Sequence, residues 1–216
     1  MFITFEGIDL SGKSTQARLL VARLQQTAAD GSDLQRTVRF LREPGGTVIS
    51  ERLREILLDR KNLEMSPWTE LFLFSAARAQ LVAEVIRPAL ARGEIVVCDR
   101  FYDSTTAYQG YGRGLDLESI QRINNAATGG TNPHLTIVVD IPVAEIERRR
   151  TSAGMGSDRM ESSGQAFFTR VRNGYLEIMK REPQRVVWVD GMKSVDEVHQ
   201  SVWRAVSRLS VVSQSA

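Results

Sequence analysis

Five short apolar runs punctuate the chain, MFITFE, VRFL, EIVVCD, LTIVVD and RVVWVD, and the segments between them repeat apolar positions with the period of a helix. Such runs, set between helical segments, predict an α/β fold with a five-stranded, mostly parallel sheet flanked by crossover helices. The helical pattern covers about Ser14 to Ala28, Val48 to Leu58, Pro67 to Ala91, Leu117 to Ala127, Val143 to Arg150, Ser162 to Arg181 and Val195 to Leu209. Three of these starts carry a cap: Ser66 precedes Pro67, Asp116 precedes Leu117, and Ser194 with Glu197 forms a capping box. The pattern breaks at TSAGMGSD (151–158), which follows Arg148, Arg149 and Arg150 and reads as a flexible loop between two helices.

Composition removes several classes of function. The 216 residues fit one domain, and 28 basic against 26 acidic side chains leave no general electrostatic case for a nucleic-acid or membrane partner. Cys98, alone of its kind, lies inside IVVCD, so it forms no internal disulfide and reads as a buried strand residue suited to a reducing cytoplasm. The N-terminus has no basic n-region and soon meets Glu6, unlike a secretory signal. The stretch LFLFSAARAQLVAEVI is interrupted by Arg78 and Glu84 and is too short to span a bilayer. The expectation is a soluble, cytoplasmic protein.

Candidate chemistry begins directly after the first apolar run. GIDLSGKST, comprising Gly7, Ile8, Asp9, Leu10, Ser11, Gly12, Lys13, Ser14 and Thr15, fits G-x-x-x-x-G-K-[ST] between a predicted strand and a predicted helix. Its glycines let backbone N–H groups turn toward an anion, the helix N-terminus adds positive potential, and Lys13 can reach terminal phosphates. These residues are the expected ATP site, with the Ser14 hydroxyl on Mg²⁺. Asp99, which ends EIVVCD, suits a carboxylate that holds Mg²⁺ directly or through water, or simply caps the next turn.

Four further stretches suggest a second binding half. REPGGT (Arg42–Thr47) puts Glu43 at a strand's carboxyl end, either in a plain turn or at a ligand edge. FSAARAQ places Phe74 and Arg78 four residues apart on one helical face, as core packing or as a ring and a guanidinium for a flat heterocycle. DRFYDSTTAYQG offers Arg100 for bidentate capture of a monophosphate, followed by Ser104, Thr105, Tyr108 and Gln109 as a polar lining or a solvated face. SDRMESS closes the flexible loop with Asp158, Arg159 and Glu161.

With FEGIDLSGKST, REPGGT, FSAARAQL, CDRFYDSTTAYQGYGRG, ATGGTNPHLT, VDIP and SDRME in order, nearly the whole chain resembles the thymidylate kinase family in its bacterial form. The resemblance implies a P-loop nucleoside monophosphate kinase fold, with a lid at about 148–161. It implies phosphorylation of dTMP to dTDP by ATP with Mg²⁺, a step in dTTP supply, and usually a homodimer. By the same resemblance Phe74 stacks on thymine and Arg78 bonds a thymine carbonyl. Arg100 and Arg54 bind the dTMP phosphate, Ser104, Thr105 and Gln109 line the thymine pocket, and Tyr108 sits near the sugar and disfavours a 2′-hydroxyl. Glu43 supports the acceptor side, and Asp9 turns away from ATP to accept from the 3′-hydroxyl.

Lys13, Arg100, Asp9 and a lid arginine are the implied catalytic set. Leu10 departs from the usual glycine and donates no hydrogen bond, so the arginine over the phosphates comes from the lid, with Arg159 favoured over Arg148, Arg149 and Arg150. His134 is a second departure and is expected as a tolerated surface change. Adenine is expected near Asp190. A kinase of another nucleotide, or of a deoxynucleoside, and a nucleotide-dependent switch remain as alternatives. A deoxynucleoside kinase would act on a neutral hydroxyl with a general base, and a switch would have no saturable acceptor site.

Overall fold

The apolar runs form strands β1 (Phe2–Glu6), β2 (Val38–Arg42), β3 (Ile95–Asp99), β4 (Leu135–Asp140) and β5 (Val186–Asp190). All pair in parallel, in the order β2-β3-β1-β4-β5. The computed structural model describes residues 1–29, 37–154, 159–160 and 163–213. Every residue of β1, β3 and β4 is buried, which is why these strands read as nearly unbroken apolar runs rather than alternating ones.

Two-residue alternation decides what each face of the sheet meets. Ile3, Phe5, Val97, Ile137 and Val139 pack against Leu20 and Leu24 of α1 (Lys13–Ala29) and Val198 and Val202 of α9 (Val195–Ser213). On the other face, Phe2, Val96 and Cys98 meet Leu81 of α3 (Pro67–Leu81) with Val82 and Ile86 beyond it. Val138 on that side meets Phe167, Phe168 and Val171 of α8 (Gln165–Arg181). Thr4 and Glu6 share the side of Phe2, so two polar side chains are buried between layers. Thr4 Oγ1 bonds Thr136 Oγ1 at 2.8 Å, Thr136 Oγ1 donates to Asp103 at 3.1 Å, and Arg185 pairs with Asp103 at 2.7 Å. That line of polar groups therefore satisfies its hydrogen-bonding capacity internally.

The helix expected from Pro67 to Ala91 forms, with one irregularity: α3 passes through a π-helical turn, Val82–Ile86, before α4 (Arg87–Ala91). Pro88 accounts for it, because it has no N–H to give and its ring crowds the carbonyl four residues earlier, at Glu84. A second wide stretch, Thr106–Gly112, continues α5 (Tyr102–Thr105). The other helices are α2 (Val48–Leu58), α6 (Leu117–Thr128) and α7 (Ala144–Ala153). The caps form as expected: Ser66 accepts from the Thr69 amide, Asp116 from the Ser119 amide, and Ser194 and Glu197 bond reciprocally.

His134 is exposed but bonded. Its Nδ1 accepts the Phe2 amide at 2.9 Å while its backbone N–H donates to the Phe2 carbonyl at 2.8 Å. Partial burial, with the N-terminal charge second, holds its pKa below the ordinary 6.5. The folded chain therefore binds this proton less readily than the unfolded chain. The contribution of His134 is complete above pH 6.5 and is lost as pH falls from there through the lower folded value. His134→Asn keeps an acceptor that does not titrate, so it should lose less melting temperature than wild type between about pH 7 and about pH 5. Equal losses would mean that this bond does not couple to stability.

Candidate active site

The loops leaving the carboxyl ends of β1, β2 and β3 meet in one cleft of about 550 Å³. This is the edge at which open α/β sheets bind ligands. The first loop runs from Gly7 to Gly12 and delivers Lys13 at the start of α1. Gly7 has φ 133°, and a Cβ there would lie 2.3 Å from the Val139 carbonyl oxygen, so only glycine fits. Leu10 takes the left-handed turn as well, at φ 60°, which a leucine seldom adopts. Arg149 donates to the Leu10 carbonyl at 3.0 Å, and the Leu10 side chain packs on the apolar cluster around Ile8 and Phe168. Ile8 and Ser11 are buried behind the loop, while Gly12, Lys13, Ser14 and Thr15 line the cleft.

Lys13 Nζ donates to the Ile8 carbonyl at 3.4 Å and lies 3.9 Å from Asp9. Burial and then Arg100 lower its pKa, against the opposing pull of Asp9, Asp99 and Glu6. Asp9 faces Arg100 rather than the α1 terminus. Arg100 Nη2 donates to Asp9 Oδ1 in a short bond, and the Tyr108 hydroxyl donates to Oδ2 at 3.1 Å. Burial alone would raise Asp9, but Arg100 and Lys13 hold it below the usual carboxylate value. Arg100 itself has φ 73° and is pinned by its amide on the Phe5 carbonyl at 2.9 Å. Its Nη1 donates to the Gly7 carbonyl at 3.1 Å, Ser104 Oγ at 3.0 Å and the Tyr175 hydroxyl at 3.3 Å.

The far side of the cleft is built around Arg78, which is 1 % exposed. Its Nη2 pairs with Glu43 at 2.6 Å and donates to Thr105 Oγ1 at 2.7 Å, and its Nη1 donates to Asn124 Oδ1 at 2.9 Å. Nε makes no hydrogen bond to any described residue. Glu43 is raised by burial against the pull of Arg78. Phe74, one turn earlier on α3, is half-buried and lines the same space. Arg54 reaches the Pro44 carbonyl at 3.0 Å, and Gln109 donates to Glu70 at 2.8 Å, both from the cleft wall. One space thus joins the phosphate loop to a flat pocket with an aromatic wall.

A family model described as thymidylate kinase matches residues 5–202. The chain belongs to the thymidylate kinase family. It is therefore an enzyme, a kinase. A thymidylate kinase of Kosmotoga olearia is 47% identical over 202 residues, covering 94% of this chain and 93% of that one. The thymidylate kinase of Geotalea daltonii is 48% identical over 212 residues, covering 95% of each. The crystal structure of thymidylate kinase from Ehrlichia chaffeensis superposes with a TM-score of 0.76 at 34% identity, covering 96% of this chain and 98% of that one. The five-stranded parallel sheet with its phosphate loop is the fold of this family's P-loop kinases.

The structure keeps Arg159 away from the phosphate loop. It is buried, with Nη1 on Glu70 at 2.7 Å and Nε on the Leu57 carbonyl at 2.7 Å. Arg148 and Arg150 pair with Glu145 and Glu147 along their own helix. Arg149 instead bridges the Leu10 carbonyl to the Gly191 carbonyl at 2.8 Å, and Asp190 caps that second loop through the Met192 amide at 3.0 Å. Asp158 and Glu161 lie outside the described residues. Asp99 is buried at the cleft, and its Oδ1 has no hydrogen-bond partner among the described residues.

Sequence reasoning missed Glu6, Glu70, Asn124 and Tyr175. Glu6 accepts the Phe101 amide at 2.7 Å, Ser104 Oγ at 2.5 Å and the Tyr175 hydroxyl at 2.9 Å. Burial first, then Asp103, pushes its pKa up to about 7 against the pull of Arg100. One signal was legible: a glutamate ending a strand with apolar residues on both faces sits next to buried neighbours whichever face it takes.

Proposed function

We propose that the protein transfers the γ-phosphoryl of ATP to a phosphate oxygen of dTMP, giving dTDP and ADP, with both nucleotides held in this cleft. The observation that carries the reading is the joining of the phosphate loop to the Phe74, Arg78 and Thr105 pocket through Arg100. Phe74 would offer its ring to thymine, and Arg78, already held by Glu43, Thr105 and Asn124, would present a fixed donor to a base carbonyl. Ser104 and Gln109 complete the lining, and Tyr108 closes the sugar side. Arg100 and Arg54 bind the acceptor phosphate, and Asp9 accepts from the 3′-hydroxyl. Because the acceptor is an anion near neutral pH, positioning and charge neutralisation carry the chemistry and no general base is needed.

The residues present fit Mg²⁺: Ser14 and Asp99 are hard oxygen ligands on the cleft, and Asp99 Oδ1 is a buried acceptor open to a partner. Bound there, directly or through water, the ion would neutralise charge on the transferring phosphates. Lys13 with the loop amides of Gly7 to Thr15 would hold the donor phosphates. The segment at about 148–161 is the proposed lid of a single domain. Arg159 reaches the phosphates only by leaving Glu70, while Arg149 already touches the loop. Ile49 and Ile56 of α2 with Trp68 and Phe72 of α3 are exposed, which supports a homodimer through this face. No helix among the described residues is long and apolar enough to cross a membrane, which is compatible with a place in the cytoplasm.

Labelled γ-phosphate offers a direct test. With dTMP and Mg²⁺ the label should move from ATP into dTDP, and a chelator should stop the transfer until Mg²⁺ is restored. Label appearing only as inorganic phosphate would reject the kinase assignment in favour of a hydrolytic switch.

A further inference from the structure

Glu6 cannot touch a substrate, since it is 0 % exposed and lies under the acceptor side of the cleft. Its surroundings are nonetheless specific. Three donors converge on its two oxygens: the Phe101 amide on Oε1, and the Ser104 and Tyr175 hydroxyls on Oε2. The same two hydroxyl oxygens stand 3.0 Å and 3.3 Å from Arg100 Nη1. Each hydroxyl has one proton to give, and a guanidinium can only donate. A proton aimed at Arg100 would set donor against donor.

We infer that Glu6 is a positioning residue for the acceptor site: by taking the protons of Ser104 and Tyr175, it leaves both oxygens as acceptors that fix the Arg100 guanidinium. The inference rests on the reading of Arg100 as the acceptor-phosphate ligand. Asp103, itself held by Arg185 and Thr136, works against the charge on Glu6, and Arg100, the Ser104 hydroxyl and the Phe101 amide offset it. Glu6→Gln reverses the arrangement. If the amide keeps its oxygen on the Phe101 N–H, its NH₂ faces both hydroxyls; these stand 3.0 Å apart, so one gives its proton to the other and the remaining proton is driven toward Arg100. If the amide flips, its NH₂ confronts the Phe101 N–H instead.

The test is a coupling experiment at about pH 8, with KM for dTMP and for ATP measured in wild type, Glu6→Gln, Ser104→Ala/Tyr175→Phe and the combined variant. Wild-type turnover with dTMP is read first, because its absence would sink the kinase reading and not this inference alone. Given that turnover, Glu6→Gln should raise the dTMP KM by about tenfold or more and move the ATP KM far less. In the Ser104→Ala/Tyr175→Phe background the same change should add less than about threefold, because the relay is already gone. An undiminished effect in that background, or equal rises in both KM values, would overturn the inference and leave Glu6 a purely structural group. Should Glu6→Gln fail to fold, Tyr175→Phe alone decides: a several-fold rise in dTMP KM with ATP unaffected supports the relay, and no change overturns it.

Discussion

Arg100→Met should lower kcat/KM for dTMP by about 10²- to 10³-fold, the usual loss when one preorganised charge donor is removed from a transferring group. Among the described residues, the guanidinium touches both halves of the cleft, through Gly7 and Asp9 on one side and Ser104, Tyr108 and Tyr175 on the other. Methionine keeps the length and much of the volume of the stem, so the neighbouring apolar cluster should survive. What disappears is the partner that keeps Asp9 ionised. Asp9 then rises toward protonation, with Lys13 at 3.9 Å and the Tyr108 hydroxyl at 3.1 Å left to hold it down. Steady-state kinetics at saturating ATP give the comparison, and a loss confined to ATP binding would remove Arg100 from the acceptor site.

The second large effect is on folding. Arg78→Leu strips the partner from a buried carboxylate, because the side chains of Arg78 and Glu43 are only 1% and 2% exposed. Breaking such a pair from one side costs about 3–5 kcal/mol. Burial already raises the Glu43 pKa with Arg78 in place, so without it the group escapes by taking up a proton. The folded pKa of Glu43 in the variant then lies further above its unfolded value. Stability is therefore recovered as pH falls and is poorest above the folded pKa. Urea unfolding of Arg78→Leu should show this pH dependence, and Arg78→Leu/Glu43→Gln should regain part of the loss. If the double variant is no more stable than the single one, the cost lies in lost packing and not in the orphaned charge.

What could be read in the chain follows from how local each feature is. β1, β3 and β4 were legible because burial on both faces favours apolar residues at most positions, and the phosphate loop because glycine spacing between strand and helix leaves few alternatives. Phe74 with Arg78 was visible as a helical pair, yet its roles depend on Glu43 and Asn124, which are remote in sequence. Tyr175 lies in a helix with an ordinary amphipathic pattern, so nothing local marks its hydroxyl as a ligand of Arg100. Arg159 was placed by motif alone, and its bond to Glu70 is a tertiary fact. Leu10 shows the same limit in the other direction: its side chain argues against a left-handed turn, and the loop with Arg149 imposes one.

The most direct test of the account is the rate of ADP formation with Mg²⁺ and ATP in the presence of dTMP, dUMP, other monophosphates, thymidine or no acceptor. The account predicts fast turnover with dTMP, slower turnover with dUMP and near silence without an acceptor. Equal slow hydrolysis under every condition would contradict it.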